Sequence, residues 1–147
     1  MTSIEGQRLQ AALEQRLFGT SPPPVQVGRF AIVEVVGHGG MGIVYRAFDP
    51  DLNRVVAIKV LDARLGLAES RLIAEAQTLA RLNHANVVAI YELGRHDGHI
   101  FLAMEFVEGQ TLDHWCTTTK LSGSQRTRAI LQLLTQTATG LVAAHAA

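Results

Sequence analysis

A single cysteine in 147 residues, Cys116, rules out an internal disulfide, and such a chain is expected in a reducing cytoplasm. Net charge is missing as well. The 13 basic and 13 acidic residues cancel, which argues against nucleic-acid or membrane partners held by long-range attraction. No uninterrupted apolar stretch approaches the roughly 18 residues that a membrane helix needs. The N-terminal residues contain no apolar core of signal-peptide length, so this segment is expected to be soluble. Internal repeats are absent. What the chain does have is apolar side chains, 48% of residues with a mean hydropathy of +0.17. That is enough for one domain with a real core, or a small domain and an appendage.

Residues 1–20 read as an amphipathic helix. Thr2 and Glu5 have capping-box spacing, and Leu9, Leu13 and Leu17 recur every fourth position. Such a helix packs on the domain that follows or frays in solvent; the alternative is that it docks a partner. Ser21-Pro22-Pro23-Pro24 stops it, because a proline triplet cannot continue a helix, so residues 21–27 are taken as a linker. The period then changes from helical to alternating. Strands are expected over residues 30–36, 43–48 and 54–61, rich in β-branched side chains. Asp49-Pro50-Asp51 turns the second into the third. A helix follows over 68–82, then strands over 87–93 and 99–106 joined by a hairpin at Asp97-Gly98. Helices over 112–116 and 124–146 complete the chain.

Gly37-x-Gly39-x-x-Gly42 alone is a weak signal. A dinucleotide fingerprint would open a helix straight after its glycines, and a P-loop would continue with Lys and Ser/Thr. Ile43-Val44-Tyr45-Arg46-Ala47-Phe48 does neither. What remains is a glycine-rich turn between two strands, whose backbone N–H groups can face phosphate oxygens, with Val44 as an apolar cover for a purine. In the third strand, alternation puts Ala57 and Lys59 on one face with Val55 and Leu61. On the following helix Glu75 falls inside the stripe formed by Leu72, Ala76, Leu79 and Leu82. An isolated buried charge costs several kcal/mol and a paired one is tolerated, so Lys59 and Glu75 are expected to meet.

These features closely resemble those of bacterial Ser/Thr protein kinases of the eukaryotic-like type. Gly37-His38-Gly39-Gly40-Met41-Gly42-Ile43-Val44-Tyr45-Arg46-Ala47 is similar to their glycine-rich loop, and Val56-Ala57-Ile58-Lys59 to their third-strand motif. Glu75 falls where the family has its helix glutamate. Asn83-His84-Ala85-Asn86-Val87-Val88 is similar to the link into the fourth strand, with Ala85 replacing the usual proline. The run 101–112 resembles the fifth strand and hinge.

The resemblance implies an α+β fold: a kinase N-lobe over 28–103, with a five-stranded antiparallel sheet and one main helix. A hinge over 104–111 and the first helices of an incomplete C-lobe over 112–147 would follow. It implies an ATP site whose phosphates lie under Gly37, Gly39, Gly40, Met41 and Gly42, with Val36, Val44 and Ala57 against the base. Lys59, held by Glu75, would reach the α- and β-phosphates. Met104 would be the gatekeeper, and the Glu105 carbonyl and Val107 N–H would bond the adenine edge.

The family's catalytic loop, its Asp-Phe-Gly aspartate and therefore its Mg2+ ligands find no match in these 147 residues. Asp62 and Asp113 are poor substitutes for the catalytic aspartate. His96-x-x-His99 flanks a hairpin turn and reads as polar loop rather than a metal site, so no metal site is expected here. The expected function is the ATP-binding portion of a kinase that phosphorylates protein Ser/Thr, inactive alone. The alternative is a non-catalytic one-lobe module that binds nucleotide or protein. The last helix, apolar around much of its circumference, expects a covering neighbour over 124–146, either the rest of the C-lobe or a protein partner.

Overall fold

The computed structural model describes residues 4–18, 22–40, 42–61 and 68–147. Thr2, Met41, Asp62 and the Leu72 side chain lie outside the described residues. The elements run α1 (Ile4–Phe18), β1 (Gln26–Val27), β2 (Phe30–Gly39), β3 (Gly42–Asp49), β4 (Arg54–Leu61), α2 (Ala68–Leu79), β5 (Ile90–His96), β6 (His99–Glu105), α3 (Leu112–Thr118) and α4 (Gly123–Ala146). The strands form one antiparallel sheet in the order β1-β2-β3-β4-β6-β5. The five expected strands are all present. The sequence pattern gave no sign of β1, two residues long, paired with the start of β2 through Gln26–Ala31 and Val27–Phe30.

Turn chemistry explains the hairpins. Asp97 and Gly98 both take positive φ, 49° and 79°, as the type I′ turn between β5 and β6 requires. Asn53, at φ 48°, closes the β3–β4 hairpin in the left-handed region that asparagine tolerates. Helix α3 is capped by Thr111, whose hydroxyl accepts the His114 N–H at 3.2 Å.

Cα partners across an antiparallel ladder share a face. Ile43, Val60 and Phe101 therefore align, as do Tyr45, Ile58 and Ala103. This face carries the core, completed by Val27, Phe30, Ile32, Ala47 and Val56. Burying each of Phe30, Ile58 and Val56 contributes about 1.5–3 kcal/mol. The sheet curls until the β1–β2 turn meets β5. There the Gly28 N–H donates to His96 Nδ1 at 3.2 Å, and Arg29 bonds Glu92. Phe101 fills the seam, edge-on to Phe30 with centroids 5.9 Å apart. Gly94 lets it in, since a Cβ there would lie 2.4 Å from the ring.

Beside the seam lies an ionic cluster around Asp49, the buried charged residue among the described core. Arg29 Nε sits 3.2 Å from Asp49 and 3.2 Å from Asp51, and Arg54 Nε lies 3.7 Å from Asp49. The Arg54 guanidinium also stacks 3.8 Å over Tyr91. Burial opposes ionisation of Asp49. Hydrogen bonds and charge from Arg29, with the N–H groups of Asp51 and Leu52, outweigh it and hold the carboxyl below its usual range.

Helix α2 lies against β5, and the two walls enclose a cleft of about 420 Å³ that includes Ala76, Ala80, Ile90 and Leu93. Helix α4 docks on the segment between α2 and β5. Its buried Gly140 abuts the Asn86 carbonyl, where a Cβ would come within 2.7 Å, and Asn86 Nδ2 donates to Thr139 at 2.8 Å. Leu131, Leu134, Leu141 and Val142 of α4 face outward and are exposed, as the apolar circumference of that helix foretold. The leucine stripe of α1 is also exposed at Leu9, Leu13 and Leu17, so the helix meets the domain through other side chains. No helix among the described residues is long and apolar enough to cross a membrane.

Candidate functional site

The face of the sheet opposite the core gathers most of the residues singled out from sequence. Register aligns Gly37 with Val44, Val44 with Lys59 and Lys59 with Leu102. One step along, Arg46, Ala57, Met104 and Ile90 align in the same way. Alternation along each strand then puts Val44, Ala57, Lys59 and Met104 on one continuous surface. Ala57 is buried, while Val44, Lys59 and Met104 are half-buried. An apolar patch with one ammonium at its edge suits a flat base joined to an anion.

The glycines at the rim divide into two kinds. Gly42 is required by the fold itself. Its φ is 134°, and a Cβ would lie 2.0 Å from the Val60 carbonyl oxygen. Gly37 and Gly40 are different, since a Cβ at either would meet nothing within 4 Å, and at Gly39 only the Gly42 carbonyl at 3.9 Å. Packing within the chain gives no reason for glycine at those three positions. Close approach of a backbone to a bound molecule is one use of glycines in such open space.

Lys59 has no hydrogen-bond or ion-pair partner among the described residues, and the expected pair with Glu75 is not formed. Glu75 is exposed. Its neighbour Ala76, 5% exposed, faces the sheet instead, flanked by half-buried Ile73 and Leu79. The inward stripe thus runs 73–76–79, and Glu75 lies about 100° round the helix from it. The physical reason is modest. A carboxylate that water can reach gains ~1 kcal/mol or less from an exposed pair, whereas burying Ala76 against β5 excludes water from apolar surface.

At the other end of the site Met104 leads into the segment 105–111. Glu105 is tied to Ala89 twice, by its own N–H at 2.9 Å and by a carboxylate that accepts the Ala89 N–H at 3.3 Å. Val107 is 63% exposed. Val36, also exposed, is an extra residue in β2, where the register with β3 slips between Val35 and Gly37.

Sequence reasoning passed over Arg46 and Glu34. Arg46 bonds Glu34 at 3.1 Å and lies 5.4 Å over the Phe106 ring, linking the β2–β3 hairpin to the segment after Met104. Strand alternation from Val44 and the cross-strand step to Ala57 could have found Arg46. Nothing in the sequence pointed to Glu34. Among the described residues no three His, Cys, Asp or Glu side chains converge on a metal position. His96 instead contacts Asp97 and Gly28 at the hairpin.

The family model for the protein kinase domain matches residues 30–147. The chain is 38% identical over 123 residues to the serine/threonine-protein kinase PrkC of Bacillus subtilis, covering 80% of this chain and 18% of PrkC. It is 38% identical over 122 residues to PknL of Mycobacterium bovis, covering 81% of this chain and 30% of PknL. It is 42% identical over 122 residues to pkn2 of Myxococcus xanthus, covering 80% of this chain and 14% of that protein. Among solved structures, the Mycobacterium tuberculosis PknI kinase domain superposes with a TM-score of 0.70 at 25% identity, over 84% of this chain and 50% of the PknI chain. The chain therefore spans less than a third of these curated relatives and half of that kinase domain.

Proposed function

Because the chain belongs to the protein kinase domain family, we propose that its residues form the ATP-holding side of a Ser/Thr kinase. In this reading residues 28–103 are the N-lobe, 104–111 the hinge and 112–147 the start of the second lobe. The observation that carries the reading is Lys59. It is a half-buried ammonium without a partner among the described residues, and it shares a face with Val44, Ala57 and Met104. Kinases use ATP with Mg2+, which supplies the γ-phosphoryl group for transfer to a protein hydroxyl.

Each residue has a definite task. Val44 and Ala57 sandwich the base from above, and Met104 limits the depth of the slot. The Glu105 carbonyl and the Val107 N–H read the adenine edge. Gly37, Gly39 and Gly40 bring backbone N–H groups to the phosphates, and Gly42 closes the turn onto β3. Lys59 neutralises and orients the α- and β-phosphates. Glu75 joins Lys59 once α2 rolls about its axis by about 100°. The exposed face of α4 at Leu131, Leu134, Leu141 and Val142 takes the remainder of the second lobe or a protein partner.

Lys59→Met should weaken ATP binding by about 10- to 100-fold, the worth of a charge-assisted contact to phosphate, and leave the unfolding midpoint unchanged. Calorimetric titration of ATP into both proteins is the measurement. Equal affinities would remove Lys59 from the site. The 147 residues hold no His-Arg-Asp or Asp-Phe-Gly triplet, so they are expected to transfer no label from γ-labelled ATP to themselves or to a general protein substrate. Robust labelling would show that another residue serves as the base.

A further inference from the structure

Helix α1 has no part in the site above, yet it touches the strand that carries the glycine-rich turn at two defined points. Strand β2 is irregular. Its register with β3 slips between Ile32 and Glu34 and again between Val35 and Gly37, which leaves Val33 and Val36 without Cα partners on β3. Each extra residue bends the strand and interrupts its ladder. Arg8 Nη2 donates to the Val33 carbonyl at 3.3 Å, and Glu5 lies 3.7 Å from His38 Nε2, just beyond the second slip. His38 pairs with Ile43, and Ile43 belongs to the core-side face. Ile4 packs on that same core cluster. The phenol of buried Tyr45 is pushed up by burial, with the charge of Glu5 adding to the shift and that of Arg8 opposing it. Helix α1 therefore lies on the reverse side of the sheet from Lys59 and cannot touch a molecule bound there.

We infer that α1 is a brace for the glycine-rich hairpin. Arg8 and Glu5 are its positioning residues, and they hold β2 on either side of the irregular stretch that aims Gly37 to Gly42. Both contacts are exposed and individually weak. Their effect comes from acting on a strand whose own ladder is broken in two places. A bulged strand that lacks a second support opens more often, and its amides exchange faster. The inference deepens the nucleotide reading, since a hairpin held in one pose binds phosphate without the cost of ordering it.

Hydrogen exchange of the whole chain without nucleotide tests the brace directly. In the double variant Glu5→Ala/Arg8→Ala, peptides covering residues 33–42 should exchange about tenfold faster than in the wild type. Peptides from β4 and β6 should keep their protection. Arg8→Lys, which retains charge and a donor, should restore part of it. ATP titrated into the same proteins should bind about three- to tenfold more weakly in the double variant. Unchanged exchange at 33–42, or loss of protection in β4 and β6 to the same degree as in β2 and without rescue by Arg8→Lys, would overturn the brace. Absence of ATP binding by the wild type would count against the nucleotide reading, and the exchange result would still decide the brace.

Discussion

Gly42→Ala should lower the unfolding free energy by about 3 kcal/mol or more, because it combines two separate penalties. A β-carbon at φ 134° leaves the regions open to L-residues, and its position lies 2.0 Å from the Val60 carbonyl oxygen. That oxygen belongs to the backbone of β4, so no rotamer change can relieve the overlap, and the β3–β4 ladder has to shift along with the Gly42–Leu61 pair at its end. Gly40 is the internal control. It belongs to the same cluster, but a β-carbon there would meet no atom within 4 Å and its φ is not positive, so Gly40→Ala should change stability by ~1 kcal/mol or less. Urea denaturation of the two variants and the wild type measures the contrast. Matching midpoints for both variants would mean that the chain does not pass β4 as closely as described.

The second large effect is expected at Asp49. Removing its carboxylate leaves Arg29 and Arg54 without their shared buried acceptor, and the Asp51 N–H loses its bond to Oδ1 at 3.2 Å. Truncating one partner of a fully buried pair costs about 3–5 kcal/mol. Here both guanidinium groups are about one-third exposed and water screens them, so Asp49→Ala is expected to cost about 2–3 kcal/mol. Acid should mimic the substitution. The folded carboxyl titrates below the unfolded value of about 3.9, because the bonds from Arg29, Asp51 and Leu52 outweigh the burial penalty. Its contribution is then complete at neutral pH and falls away as pH drops below about 4 through the lower folded value. The stability gap between wild type and Asp49→Ala should therefore shrink in acid. A gap that stays constant down to pH ~2 would show that the carboxylate carries no net favourable charge interaction.

Much of the fold was legible from local chemistry. The β4 strand and the Asp97-Gly98 hairpin fall at the expected positions, since β-branched runs and a pair of residues suited to positive φ are read over a few neighbours. The helices at 112 and 123 begin within a residue of expectation. The pairing of β4 with β6 and the closing seam of Arg29, Glu92, His96 and Phe101 had no local sign. They join residues more than forty positions apart, and such pairing follows from curvature, which no window of sequence contains.

The candidate site was legible to a similar degree. Alternation placed Ala57 and Lys59 on one face, and the register adds Val44 and Met104 to it. The helical stripe was less reliable. With 3.6 residues per turn, Glu75 and Ala76 lie about 100° apart yet both fall within the arc spanned by Leu72, Ala76, Leu79 and Leu82, and the roll of the helix decides which of them meets the sheet. The structure turns Ala76 inward. The contact between Arg8 and the Val33 carbonyl was also out of reach, because a bulge leaves the alternation of a strand almost unchanged on paper while altering which backbone groups are satisfied.

The amino-acid sequence by itself determined the element types, the turn residues, the kinase-like motifs and the pairing of chemistry to strands. Each of these follows from propensity and spacing among near neighbours. Only the tertiary structure decided how the sheet closes, which way α2 presents its acidic residue, and where Arg8 and Glu5 of α1 meet β2. Those outcomes depend on the relative free energies of alternative packings between distant segments, and differences of about a kcal/mol or two separate them.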